Sequence, residues 1–346
     1  MEQYDVVIVG AGPAGLRCAE VLAKGGKKVI VLEKNKIIGD KVCAGGLTLK
    51  DLELGIPNSI IQRKFKKVII HTPLQKTEIK FDKPFLATID RKDLGRWMAN
   101  KAKKEGANII MNQDVVQIKN KSIITSERQE FSFKYLVGAD GSNSFVRRYL
   151  KLKNDRFAVC LQKRIKKEFK DFEIFLEQGD KGIFYSYIFP YKKYSKIGYC
   201  TDINQKNIKM ETKMVLEIKN KFEKWARQIK SSQIDQLQSA LVNASYKGHE
   251  FGNIFLIGDA GGFASGLTGE GIYFAIKSGE DVAKKILNSR YGCPNIKHIL
   301  EVKRIQEDFL FSCSEINSVV TGAELEFFNF LFKTKIFNKE MEKYAD

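Results

Sequence analysis

Paired cysteines, histidines and long apolar runs are scarce in this chain of 346 residues. Its six cysteines (Cys18, Cys43, Cys160, Cys200, Cys293 and Cys313) are scattered, and none forms a CxxC pair. That spacing argues against an iron–sulfur or zinc site and against a disulfide framework, and it fits a reducing compartment. The three histidines, His71, His249 and His298, show no pairing, so no metal is assigned. No apolar run approaches the roughly 20 residues that a membrane span needs. The opening stretch MEQYDVVIVGAGPAG lacks the basic start of a signal peptide. A cytoplasmic protein is expected, with any membrane contact peripheral and on the inner face.

Acidic residues are also in deficit, 41 against 59 lysines and arginines, for a net charge of +18. Such an excess attracts polyanions. No nucleic-acid motif accompanies it, which leaves an anionic membrane surface, an acidic protein partner, or a plain compositional bias of a Lys- and Ile-rich chain. The length suffices for one large domain or two interleaved ones without staples.

What is present begins at Asp5. DVVIV (Asp5–Val9) reads as a buried strand, GAGPAG (Gly10–Gly15) as a tight turn, Leu16–Lys24 as a helix and KKVIVLE (Lys27–Glu33) as a second strand ending on an acid. Strand, glycine turn, helix, strand and acid together form a dinucleotide fingerprint. Gly10 permits the turn, Gly12 lets a pyrophosphate approach the backbone, and Gly15 allows close helix–strand packing. Glu33 suits the hydroxyls of an adenosine ribose and disfavours a 2′-phosphate, so FAD or NAD fits better than NADP. A second glycine motif, GDAGGFASGLTGEGI (Gly258–Ile272), follows another strand and opens another helix. There Asp259 can accept a ribitol hydroxyl, and Gly269, Gly271 and Ile272 can turn backbone N–H groups toward the electron-rich edge of a flavin. The pair of motifs selects FAD.

Between these ends the pattern alternates. KKVIIHT and KTEIKF, within 66–81, predict a hairpin; Asp90–Gly106 predicts a helix carrying Leu94, Trp97, Met98 and Ala102; Lys134–Gly141 predicts a strand of the first sheet. Residues 37–60 read as irregular. From about Arg156, FAVCLQKRI, FEIFLEQ, GIFYSYIFPY and YSKIGYC predict an antiparallel sheet. Helices are expected over Lys209–Ser231, from the second glycine motif to Asn288, and at the C-terminal end with its aromatic cluster FFNFLF (Phe327–Phe332), a stretch that can lie at a bilayer interface or pack on the protein.

GAGPAG, GADG (Gly138–Gly141) and GDAGG, in this order, resemble the FAD-dependent family that includes the aromatic hydroxylases. Within it KVCAGGL, DRKDLGRWMANKAKKEGA, YSYIFP and LTGEGIYFAIKSGE resemble the geranylgeranyl reductase branch, over residues 1 to about 290. The resemblance implies an α/β fold in which a Rossmann-type FAD-binding domain of the glutathione-reductase and aromatic-hydroxylase kind is interleaved with an antiparallel-sheet substrate domain. The expected boundaries are 1–60, 90–150 and 252–292 for the FAD-binding domain, 61–89 and 151–251 for the substrate domain, and 293–346 for a C-terminal helical segment. It also implies that Ala14, Glu33, Cys43, Ala44, Gly46, Arg91, Val115, Asp259, Gly271 and Ile272 contact FAD, with Gly10, Gly12 and Gly15 shaping the turn. The implied activity is saturation of C=C bonds in the isoprenoid chain of a lipid, quinone or diphosphate by hydride from reduced flavin. NADPH or a ferredoxin would supply the electrons.

This sequence departs from the branch in having Tyr185-Ser-Tyr187-Ile-Phe189-Pro190 where Tyr-x-Trp-x-Phe-Pro is usual. Strand alternation puts Tyr185, Tyr187 and Phe189 on one face, where with Pro190 they are the expected substrate wall; the plainer reading makes them sheet core. Tyr185, Tyr187 and Cys43 are the expected catalytic residues. Cys43, placed near the flavin, can donate a proton, shape the pocket or tune the flavin, and the residues alone leave these three open. Two other activities share the motifs: an FAD-dependent monooxygenase or halogenase, and a flavoprotein relay to a membrane quinone.

Overall fold

The computed structural model describes residues 2–179, 182–204, 212–266 and 269–315. The aromatic cluster at Phe327–Phe332 lies outside the described residues. The chain divides into two compact units.

The first unit comprises Met1–Lys41, Arg91–Phe157 and Leu241–Gln306. Its sheet has five parallel strands in the order Ile254–Leu256, Glu130–Gly138, Glu2–Val9, Val29–Glu33 and Asn108–Met111. Ser122–Thr125 pairs antiparallel with Glu130–Gly138, and Val115–Ile118 pairs antiparallel with Ser122–Thr125. The central strands are apolar without interruption because both faces of a parallel sheet are covered; Val6, Val7, Ile8, Ile30 and Val31 are almost wholly buried. Helices Pro13–Lys24, Arg91–Lys104 and Ile272–Leu287 pack in this unit. Leu94, Met98 and Ala102 face inward as their spacing predicts, and Lys101 lies over the half-buried ring of Trp97.

The second unit comprises, among the described residues, those of Val42–Asp90 and Ala158–Ala240 together with 307–315. Its larger sheet has seven strands in the order Gln238–Asn243, Arg156–Ile165, Ser195–Asn204, Gly182–Pro190, Phe172–Gly179, Lys67–His71 and Lys76–Lys80. The hairpin expected within 66–81 is present, and Lys67–His71 runs parallel to Phe172–Gly179. Helix Thr212–Gln228 packs through Phe222 and Trp225, the latter edge-on to Phe175 at 5.4 Å.

Two sequence expectations are corrected here. Residues 37–60, read as irregular, supply the strand Gly46–Thr48, which pairs with Leu86–Ile89 and through it joins Ile61–Phe65 in a three-stranded antiparallel sheet. A strand of three residues is too short for period-2 alternation to reveal it. The absence of disulfides also fails: Cys160 and Cys200, on neighbouring strands, are bonded, with Cα atoms 4.4 Å apart. That separation belongs to directly facing residues of adjacent strands, and such a register cannot be read from cysteines 40 residues apart.

Candidate active site

In the first unit the glycine turn joins a buried strand to helix Pro13–Lys24. Gly10 has φ +103°, in the region that favours glycine, and a β-carbon there would lie 2.4 Å from the Ala139 carbonyl oxygen. A β-carbon on Gly15 would lie 2.1 Å from the Gly10 oxygen. Around Gly12, by contrast, a β-carbon would meet nothing within 4 Å. Gly12 is also the N-cap of the helix and no side chain caps it. The turn is therefore tight on its protein side and open where the first helical N–H groups point, an arrangement suited to a pyrophosphate.

Glu33 ends the next strand, nearly buried. Its Oε2 accepts from the Ala11 amide (2.7 Å) and its Oε1 from the Asn35 amide and side chain (2.9 and 2.8 Å). Oε1 is already twice engaged, and Oε2 still has acceptor capacity for a ribose hydroxyl. The Gln113 amide donates to the Glu33 carbonyl (2.8 Å), which brings the segment leading into Val115 alongside.

Asp259 gathers the remaining groups of this unit. Lys41 Nζ donates to its Oδ2 at 2.7 Å and Ser142 Oγ at 3.1 Å; Asn243 Nδ2 donates to its carbonyl at 2.8 Å. Burial alone would raise the Asp259 carboxyl, but Lys41, Ser142 and the charge of Arg91 outweigh it and hold it below the ordinary range. Arg91 is nearly buried at the start of its helix. A β-carbon on Gly271, the N-cap of Ile272–Leu287, would lie 3.6 Å from Asp259 Oδ1. Gly10, Gly12, Ala14, Gly15, Glu33, Arg91, Val115, Asp259, Gly271 and Ile272 thus all belong to the first unit. Lys41, Ser142 and Asn243 were missed. Lys41 is 218 residues from its partner in sequence, and only the carboxylate at Asp259 hinted that a cation was needed.

The six residues KVCAGG divide between the units: Lys41 belongs to the first, and Val42 onward to the second. In the second unit Tyr185, Tyr187 and Phe189 share one face of the strand Gly182–Pro190, as alternation predicts. Their rings form a run with Phe172: 6.2 Å from Tyr185 to Tyr187, 5.0 Å to Phe189 and 4.6 Å on to Phe172. Ile174 and Leu176 pack into the same apolar cluster as Phe189 and Phe172. Pro190 is held by Thr88 Oγ1, which donates to its carbonyl at 2.9 Å. Burial pushes the phenols of Tyr185 and Tyr187 up. Both are neutral hydroxyls at ordinary pH.

Cys43 keeps its thiol, half-buried, and its sulfur accepts from the Gly45 amide at 3.4 Å. Its neighbours are fastened to the aromatic strand: a β-carbon on Gly46 would lie 2.7 Å from the Phe189 ring, and Tyr191 Oη donates to the Ala44 carbonyl at 2.6 Å. Cys43, Ala44 and Gly46 therefore join Tyr185, Tyr187, Phe189 and Pro190 in one wall within the second unit.

The sequence profile of the FAD binding domain family matches residues 3–292. An uncharacterized protein of Methanosarcina barkeri is 33% identical over 312 residues, covering 84% of this chain and 76% of that one. The chloroplastic geranylgeranyl diphosphate reductase of Oryza sativa is 25% identical over 316 residues, covering 82% of this chain and 66% of that one, so the chain spans about two thirds of the plant relative. Among solved structures, a geranylgeranyl bacteriochlorophyll reductase-like protein from Thermoplasma acidophilum superposes with a TM-score of 0.72 at 22% identity over 91% of each chain. A flavin-dependent brominase superposes with a TM-score of 0.70 at 19% identity over 99% of this chain and 93% of its own. These two establish the shared fold.

The chain belongs to the FAD binding domain family. It is an FAD-dependent oxidoreductase, and FAD is its cofactor. The open turn at Gly12, the acceptor at Glu33 and the ionised Asp259 fit that group.

Proposed function

We propose that the protein saturates isolated C=C bonds in the isoprenoid chain of a lipid, quinone or diphosphate. The supporting observation is the aromatic and aliphatic wall of the second unit, with the Cys43 thiol attached to it by the KVCAGG segment. In this reading the second unit is the substrate-binding part. Reduced FAD, when bound, supplies the hydride.

An isolated alkene carries no carbonyl to stabilise developing charge, so positioning must do most of the work. Tyr185, Tyr187 and Phe189 hold the chain, and the faces of their rings stabilise cationic character on it. Leu176 and Ile174 continue the apolar surface. The Cys43 thiol gives the proton to the second carbon and recovers one from solvent. The C=C π bond is replaced by two C–H bonds, one from the hydride and one from this proton. The first unit holds the cofactor through Gly10–Gly15, Glu33, Arg91, Val115, Asp259, Gly271 and Ile272. NADPH or a ferredoxin regenerates the reduced cofactor, and the basic surface favours contact with an acidic ferredoxin or an anionic bilayer that presents the lipid. The names of the relatives point the same way. Among the described residues no helix is long and apolar enough to cross a membrane.

Anaerobic turnover of a geranylgeranyl lipid by the dithionite-reduced protein tests this reading. Reduction of the chain supports it, and a chain recovered unchanged after one reductive cycle overturns it.

A further inference from the structure

Lys196 is the least expected residue of the wall. It lies directly opposite Phe189 in the strand register and is 8% exposed, where a sheet of this kind ordinarily carries an apolar side chain. An ammonium kept from water needs strong partners. Lys196 Nζ donates to the Cys43 carbonyl at 2.9 Å and stands over the Tyr191 ring, 4.8 Å from its centroid. Tyr191 is fully buried, stacks on Tyr194 at 4.7 Å, and donates its hydroxyl to the next carbonyl, that of Ala44, with the Ile89 carbonyl 3.0 Å away. Two successive carbonyls of KVCAGG are thus gripped from one hairpin, by a cation and by the phenol beneath it.

We infer that Lys196 is a positioning residue for Cys43. Its ammonium and the Tyr191 hydroxyl form a clamp that fixes the backbone from which the thiol projects, and so set the place of the thiol against the aromatic wall. The functional consequence rests on reading Cys43 as the proton donor; the clamp itself does not. A methionine at 196 would fill the same volume but leave the Cys43 carbonyl without its charged donor. An arginine would keep the charge and a donor.

The test uses the FAD-bound full chain and two readouts. The first is the rate at which iodoacetamide alkylates Cys43, followed by peptide mass. Lys196→Met and Tyr191→Phe are each expected to raise it roughly tenfold, as loss of a hydrogen bond to a charged or buried partner frees the segment, while Lys196→Arg stays close to the native rate. The second is a double-mutant cycle on isoprenoid turnover. If Lys196 acts through Cys43, Lys196→Met costs little further activity once Cys43→Ser is present. Native-rate alkylation in both Lys196→Met and Tyr191→Phe with FAD content intact, or losses that simply multiply in the cycle, overturns the inference. Should Lys196→Met fail to fold, Tyr191→Phe carries the alkylation arm. If no isoprenoid is reduced by any form, the proposed function fails and alkylation alone still decides the clamp.

Discussion

The ring of Tyr187 lies on Gly198 of the adjoining strand, so that a β-carbon at 198 would fall 2.0 Å from the ring. The phenol crosses the neighbouring strand there and reaches Gln162, to which it donates at 3.4 Å. The space for the middle ring of the wall is therefore made on a different strand, by the one residue type without a side chain.

Gly198→Ala tests that relationship. The ring must leave its place, at a cost of about 1–3 kcal/mol for overpacking. The expected result is a lowered melting temperature and strongly reduced isoprenoid turnover, with the FAD content of the native protein. Native turnover in this variant would show that the Tyr187 position does not matter.

The cofactor contacts proposed for the first unit can be tested apart from the wall. Glu33→Ala and Asp259→Ala are each expected to weaken FAD binding about ten- to a hundredfold, the range for losing hydrogen bonds to a charged group. Lys41→Met leaves Asp259 nearly buried without its ion-pair partner at 2.7 Å and is expected to weaken FAD binding as well. Titration of the apoprotein with FAD, read by flavin fluorescence, checks all three. Unchanged affinity in Asp259→Ala would remove that carboxylate from the cofactor set.

In the first unit Glu280 of helix Ile272–Leu287 pairs with Arg17 of helix Pro13–Lys24 (3.0 Å) and with Lys284 (2.7 Å) and Lys277 (3.8 Å) of its own helix. Burial opposes its ionisation, but these three cations prevail and pull the carboxyl from 4.5 down to about 2. Because the folded form binds this proton more weakly than the unfolded chain, the contribution to stability is complete above the ordinary carboxylate range and is lost as the pH falls toward about 2. Glu280→Gln should therefore be less stable than the native protein at neutral pH, with the difference shrinking on acidification. Urea unfolding across that range measures it, and a pH-independent difference would contradict the assignment.

The Cys160–Cys200 bond closes a loop of 40 residues, worth up to about 4 kcal/mol by chain entropy. Peptide mapping without reductant should recover the two strands linked, and Cys160→Ser should melt earlier than the native protein. Unlinked peptides from oxidised protein would exclude the bond.

The parts legible in the sequence were those written in consecutive residues. Gly10–Gly15 with Glu33, the second glycine motif around Asp259, and the alternation of Tyr185, Tyr187 and Phe189 each declare their geometry locally. What was not legible depends on register and return of the chain. Lys41 reaches Asp259, Cys160 meets Cys200, and Lys196 grips Cys43 only because strands distant in sequence come to lie side by side. The strand Gly46–Thr48 exists because Leu86–Ile89 is there to pair with it; its three residues carry no pattern of their own.

The activity proposed for this FAD-dependent oxidoreductase is reduction of an isoprenoid chain. The most direct measurement is mass spectrometry of a geranylgeranyl lipid after anaerobic incubation with the dithionite-reduced protein. The expected result is a gain of two hydrogens for each double bond reduced, with flavin reoxidised in step and the gain greatly diminished in Cys43→Ser. An unchanged lipid, with flavin reoxidised only when oxygen and an aromatic substrate are admitted, would contradict it and make the protein an oxygen-using member of the same fold.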